Sequence, residues 1–310
     1  MTNTQLPEVT TDPHVFLIGR PPVTEFLGFI RTMAVNGHSV DQGVLMQEWR
    51  SANDHVAELI VDEAGVADAP DLGEIPPALQ HYAEDIFADP MFQKAYKFVP
   101  TRVAIVELDQ LVVFQKHINL RYVGQLKERL GDSPSEDEIC RLALAVDRFD
   151  APVRVMQTAT NAFTFISPSN DFRFLEGQFL PSDQALTVSS TGVVNHVIGL
   201  ALGYGSNYLN ALHADGRLVL NNGSHRAYAL RELGITHVPC LVQDVTRRDE
   251  LELISSGDVR NNPERYLEDP RPPLLKDYFN DKLRKLVDVQ RKNRLVRVQF
   301  GVEQSEIPVQ

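Results

Sequence analysis

The sequence predicts an α/β fold, in the mixed α+β sense, from three observations. Short apolar, β-branched runs at 103–108, 218–221 and 238–243 have the length and composition of buried strands. Between the last two, AYALRELG has helical spacing, with Ala227, Leu230 and Leu233 on one apolar side and Gly234 as its stop signal. The chain has 310 residues and 43% hydrophobic content, enough to bury a full core as one large domain or two smaller ones.

Residues 1–23 are polar and proline-containing and read as a flexible N-terminus. Thr24 followed by FLGFIRTMAV reads as a buried helix ending near Asn36-Gly37. The stretch 40–63 places Val44, Leu45, Trp49, Val56, Leu59 and Ile60 at mixed helical spacing. After the break ADAPDLGEIPP, another helix is interrupted at Asp89-Pro90. Residues 24–98 therefore read as an α-helical module. A strand and a helix follow over 99–130, and Ser135 with Glu138 matches a capping box ahead of the next helix. PVRVMQTATNAFTFISPSNDFRFLEG reads as paired strands with turns at Thr160-Asn161 and 167–170. The run 193–202 is compatible with strand or helix. DYFNDKLRKLVDVQRKNRLVRVQFG reads as a helix followed by a strand carrying Leu295, Val296, Val298 and Phe300. The resulting division is a flexible segment 1–23, a helical module 24–98, an α/β domain 99–250 with an insertion over 131–217, and a C-terminal extension 251–310.

Composition narrows the function. A net charge of -12 argues against a general nucleic-acid binder, because duplex affinity rests on cationic contacts to phosphates. Lys282, Arg284, Lys285, Arg291, Lys292, Arg294 and Arg297 nevertheless crowd one segment, which reads as a solvated helical face or a contact for an acidic partner. No apolar run is long enough to span a bilayer, and the first residues lack a basic and apolar leader pattern. Cys140 and Cys240 are too few for a disulfide framework, so a cytoplasmic location is the default expectation.

The chemistry-bearing stretch is LVLNNGSHRAYALRELGITHVPCLV. A strand runs into a turn at Asn221, Asn222 and Gly223, and Ser224, His225 and Arg226 occupy the first helical turn. The first N–H groups of a helix lack intrahelical partners and lie at the positive end of its dipole, so an anion is favoured there. Arg226 adds a forked donor suited to phosphate or carboxylate, and His225 a tunable one. The competing reading is a plain helix start in which Arg226 pairs with a carboxylate and His225 packs.

This stretch resembles the phosphate-binding turn of the ParB/sulfiredoxin-like superfamily, whose members carry Gly-x-x-Arg or Gly-Cys-His-Arg between a strand and a helix. Here those parts stand as Gly223-Ser224-His225-Arg226, then Leu233-Gly234, then Val238-Pro239. VPTRVAIVELDQLVVFQKHINLRYVGQLKERL resembles the opening strand, its hydrophobic-x-Leu-Asp-x-Leu exit and the following helix. The resemblance implies a ParB/sulfiredoxin-like core holding the insertion, and a nucleotide or other phosphate-bearing ligand, with ATP or CTP and Mg²⁺ as candidate cofactors. Lys116, His117 and Arg121 fall where related proteins contact a nucleotide or substrate. Ser224 stands where sulfiredoxin has its reactive Cys, and a hydroxyl cannot run that sulfur chemistry without a new base.

Two carboxylates at the first strand's exit, Glu107 and Asp109, are candidates for a general base or a water-mediated magnesium anchor, with His225 as acid or base. Phosphoryl transfer or nucleotide hydrolysis is then the reaction class to expect. The alternative is a non-catalytic binding or assembly protein whose helical module and basic tail contact a protein partner or a second copy. Gly199, Gly203 and Gly205 lack a phosphate-loop lysine, His196 and His213 lack ligand companions, and Cys240 reads as a buried, inert thiol.

Overall fold

The computed structural model describes residues 10–147, 151–180 and 192–308. It divides the chain into two compact units, one of residues 1–147 and 206–291, the other of residues 148–205 and 292–310. In chain order the first unit begins with β1 (Thr11–Leu17), α1 (Val23–Met33), α2 (Gln42–Asp62), β2 (Leu72–Gly73), α3 (Gln80–Ala88) and α4 (Pro90–Ala95). It continues with β3 (Thr101–Glu107), β4 (Val112–Val113), β5 (His117–Asn119), α5 (Leu120–Leu130) and α6 (Glu136–Ala143). The second unit supplies β6 (Arg154–Ala159), β7 (Ala162–Ser167), β8 (Arg173–Leu180) and β9 (Val197–Gly203). The chain then returns to the first unit with β10 (Asn210–Ala214), β11 (Arg217–Asn222), α7 (Ser224–Glu232), β12 (His237–Asp244), α8 (Leu251–Ile254), α9 (Gly257–Asn261), α10 (Pro263–Leu267) and β13 (Arg284–Gln290). β14 (Arg294–Gln299) closes the second unit.

The main sheet of the first unit has the order β2-β3-β12-β10-β11-β4. The three runs that read as buried strands, 103–108, 218–221 and 238–243, lie in it as β3, β11 and β12. Alternation along these strands sends side chains to opposite faces. Ala104, Val106, Leu218, Leu220, Val238, Cys240 and Val242 pack with Val123 and Leu126 of α5 and Ala227, Tyr228 and Leu230 of α7. On the other face Val112, Leu212 and Val219 meet Leu251, Val259, Tyr266 and Leu267 of the short C-terminal helices. Helices therefore cover both faces, a mixed α/β layer arrangement.

Three expectations need correction. The segment taken as flexible holds β1, which pairs with β13 and β5 and buries Val15, Phe16 and Leu17; its residues 1–9 lie outside the described residues. The apolar run His-Val-Phe-Leu-Ile could be paired on both sides, and that outweighs the polar flanks. The helical module is not a separate body: α1 and α2 bury Phe26, Ile30, Leu45, Ala52 and Val56 against one face of the β1–β13 pair, formed by Phe16, Val287 and Val289 with Ile18 just after β1. The stretch read as a helix before the last strand is itself the strand β13, because Val287 and Val289 point inward while Leu286, Asp288 and Gln290 face out, a period of two. Its cations form no uniform basic face: Arg284 pairs with Asp281, Lys285 with Glu48 and Arg291 with Asp12.

The expected insertion at 131–217 is divided between the units. Its first part carries α6, started by the Ser135–Glu138 capping box, inside the first unit. The second unit holds a three-stranded sheet of order β14-β7-β6 and a ribbon of β8 and β9, with the β6–β7 turn at Thr160-Asn161. The ambiguous run 193–202 contributes the strand β9. The C-terminal extension is also shared, its residues to 291 in the first unit and the remainder in the second.

Candidate functional site

β11 ends at Asn222 and α7 begins at Ser224, leaving Gly223 alone to make the turn. Its φ of 93° is left-handed, and a β-carbon there would stand 2.7 Å from Leu209 Cδ1 and 3.0 Å from Leu209 Cα. The Gly223 N–H donates to Asn222 Oδ1 at 2.8 Å, and Asn222 Nδ2 donates to the Ser206 carbonyl at 3.2 Å. Among the described residues no side chain caps α7, and its first backbone bond runs from Ala227 N–H to the Gly223 carbonyl. The N–H groups of Ser224 and His225 precede that bond, at the positive end of the helix dipole.

Arg226 is buried, and its Nη1 donates to the Asn207 backbone carbonyl. The guanidinium therefore ties the start of α7 to the segment leading into β10. His225 Nε2 accepts the Asn119 N–H at 3.0 Å, which places a neutral imidazole's proton on Nδ1. Burial, then the neighbouring His117, His14 and Arg226, pushes this histidine down to about 3. Tyr122 meets its ring edge to face at 5.4 Å.

His117, on β5, lies 3.0 Å from His14, Nδ1 to Nδ1, with the Phe29 ring 4.8 Å away. Burial, then His14 and Lys116, lowers His117 to about 4, and burial lowers His14. Beside them Arg121 lies 2.9 Å from the buried Asp12, which also holds Arg291 at 2.6 Å and accepts from Asn119 Nδ2 at 3.3 Å. Two guanidinium groups thus share one carboxylate and leave a positive excess. Desolvation would raise Asp12, but its bonds to Arg291, Asn119 and Arg121 outweigh that and lower it. Lys116 is turned to Glu25 and Asp258, at 2.5 and 3.2 Å.

The structure therefore gathers Gly223, Ser224, His225, Arg226 and His117 around one helix start, with Arg121 joined to it through Asp12 and Asn119, and Lys116 next to His117 and engaged elsewhere. It does not bring the two candidate carboxylates there. β3 stands three strands from β11 in the sheet order, about 14 Å at ordinary strand spacing, and the register carries Glu107 further along its strand than the level of Asn222. Asp109 is held by Arg231 at 2.7 and 2.9 Å. That arginine is in the last turn of α7, about 10 Å along the helix from Ser224.

These positions bear on Mg²⁺. Both Asp109 oxygens are occupied, Asp12 is bound by arginines, and among the described residues no three His, Cys, Asp or Glu side chains converge as metal ligands. The residues at the turn do not fit a protein-held magnesium ion.

Sequence reasoning missed Asp12, His14, Asn119, Asn207 and Arg291. The apolar run after His14 was the available signal for β1, and the asparagine ahead of α5 was the signal for a cap, since Asn119 Oδ1 accepts the Tyr122 N–H. Asn207 and Arg291 meet the site only through the tertiary fold.

Comparison with protein-family models, curated proteins and solved structures gives no match. Among the described residues no helix is long and apolar enough to cross a membrane.

Proposed function

We propose that this chain is a ParB/sulfiredoxin-like protein that binds a phosphate-bearing ligand, foremost a nucleotide such as ATP or CTP, at the start of α7. The observation that carries the reading is the helix start behind a left-handed glycine, joined through Asn119 to a carboxylate that two arginines share. Ser224 and His225 N–H groups and the Ser224 hydroxyl supply donors, and the guanidinium excess supplies the favourable field. The order strand, Leu-Asp-x-Leu exit, helix, then strand, glycine turn, helix and Val-Pro strand supports the superfamily reading. Arg226 acts in this account as the brace that fixes the turn.

Binding is favoured over phosphoryl transfer. Glu107 and Asp109 lie away from the turn, and His225 Nε2 already accepts a backbone N–H. A base for the attacking group is then lacking at the turn. The alternative of a non-catalytic binding or assembly protein rests on the helical module and the basic C-terminal extension.

The test is calorimetric titration of ATP, CTP and inorganic phosphate, with and without Mg²⁺, into the wild type and Ser224→Asp. The carboxylate would occupy the anion position, so the variant should lose binding while staying folded. Absence of heat and of thermal stabilisation for every anion would overturn the proposal.

A further inference from the structure

α5 and α7 lie side by side and run in the same direction: Asn119 and Tyr122 meet His225 at their starts, and Lys127 meets Glu232 at 2.8 Å near their ends. Along α5, next to that ion pair, is a cavity of about 530 Å³, with Leu120 and Val123 at one end and Glu128, Gly131 and Asp132 at the other. The spacing of three and four residues sets these positions on one stripe of the helix. The volume falls within the roughly 300–1,000 Å³ usual for small-molecule sites.

Two features give the cavity a purpose and a sign. Gly124 lines it from the interior of α5, where glycine is the least favourable residue after proline. A β-carbon there would meet nothing within 4 Å, so contacts inside the chain do not call for a glycine. What it does is leave the helix backbone bare toward the cavity. The second feature is charge: Glu232 is neutralised by Lys127, whereas Glu128 and Asp132 have no hydrogen-bond or ion-pair partner among the described residues. The last carbonyls of α5, at the negative end of its dipole, lie at the same end of the cavity. Arg129, the other cation of that turn, does not line it.

We propose that this cavity binds a small organic cation, an ammonium or guanidinium on an apolar stem. The stem lies on Leu120, Val123 and the bare backbone at Gly124, and the cation sits between Glu128 and Asp132. Helix rise separates Leu120 from Glu128 by about 12 Å, room for one such molecule. A protein partner would need an interface on the order of 1,000 Å² or more, which so short a stripe does not supply. Two carboxylates are too few to hold a metal ion, and their field repels phosphate, so the site differs in kind from the turn at Ser224. It lies at the other end of α7 and does not rest on the anion-site reading.

The test is titration of n-hexylamine into the isotope-labelled full chain, followed by nuclear magnetic resonance at the Gly124 and Gly131 amides, with n-hexanol and hexanoate as uncharged and anionic probes. n-Hexylamine should shift both amides to saturation, n-hexanol should bind about tenfold more weakly, and hexanoate should leave them in place. Glu128→Gln and Asp132→Asn should each weaken the amine about threefold, the size of one exposed ion pair. Gly124→Leu fills the cavity with a residue that helices favour, and should abolish binding at an unchanged or higher melting temperature. Shifts that never saturate, n-hexanol bound as tightly as n-hexylamine, or carboxylate variants that bind like the wild type would each overturn the proposal. So would a folded Gly124→Leu protein that still takes up the amine; the carboxylate variants decide alone if that protein loses its fold.

Discussion

Arg231 grips Asp109 through two parallel bonds, Nε to Oδ1 at 2.7 Å and Nη2 to Oδ2 at 2.9 Å. The pair joins the last turn of α7 to the exit of β3, so that helix is fastened at both ends: here by a carboxylate, and at its start by Arg226 on Asn207 and His225 on Asn119. The anchoring of α7 gives Asp109 a structural role. Asp109→Asn should lower stability by about 1 kcal/mol, since the bidentate pair is partly exposed, and leave nucleotide affinity unchanged. Urea denaturation and calorimetry on the same variant check both halves.

Gly223→Ala should be more damaging than a usual turn substitution. It places a β-carbon at a φ of 93° and against Leu209, two penalties that the surrounding sheet cannot relieve without moving β10. A loss of roughly 1–3 kcal/mol is expected, together with loss of anion binding. Equal stability of variant and wild type would mean that the turn relaxes.

A buried ion network stands outside the candidate site. Arg271 is 1% exposed and bonds Asp277 at 2.6 and 2.7 Å and Glu63 at 2.9 Å, while Arg20 bonds the Arg271 carbonyl at 2.8 Å. This ties the end of α2 and the residues after β1 to the segment before β13. Asp277 also lies 3.4 Å from Arg20, so Asp277→Ala removes the buried carboxylate shared by two arginines, leaves Arg271 only Glu63 and a backbone carbonyl, and should destabilise the protein by about 3–5 kcal/mol in denaturant titration.

The histidines set a pH dependence of known sign. His225 and His117 sit at about 3 and about 4 in the folded chain against an ordinary value of 6.5, and His14 is also lowered. The unfolded chain therefore binds protons first as pH falls below 6.5, and stability drops from there down to the folded values. Each histidine contributes up to about 1.4 kcal/mol per pH unit in that window. Asp12 and Glu63, lowered by their cationic partners, extend the loss below the ordinary carboxylate range. A stability profile between pH 7 and 5 should slope in the wild type and less steeply in His117→Gln, which keeps His225 and His14; parallel slopes would place the proton uptake elsewhere.

Local signals carried much of the fold. The strands at 103–108, 218–221 and 238–243, the Ser135 capping box and the glycine turn before α7 are written in neighbouring residues, and the structure holds each of them. β13 was lost because helix-forming Lys, Arg and Leu obscured a period-two pattern only five residues long. The histidine cluster was invisible because His14, His117 and His225 come from separate parts of the sequence and meet only when β1 pairs with β5 beside α7. Glu107 and Asp109 looked close to the turn because sequence order does not reveal that β12 and β10 lie between β3 and β11.

The measurement that bears most directly on the anion-site proposal is parallel calorimetry of the wild type and Ser224→Asp with ATP, CTP and phosphate. A carboxylate at the first helical position complements the dipole and should raise stability by about 0.3–1 kcal/mol. It also fills the place proposed for the ligand phosphate. The account therefore predicts a variant that melts higher and binds no nucleotide, beside a wild type that binds. Wild-type protein that takes up none of the three, or a Ser224→Asp variant that binds as tightly as the wild type, would contradict it.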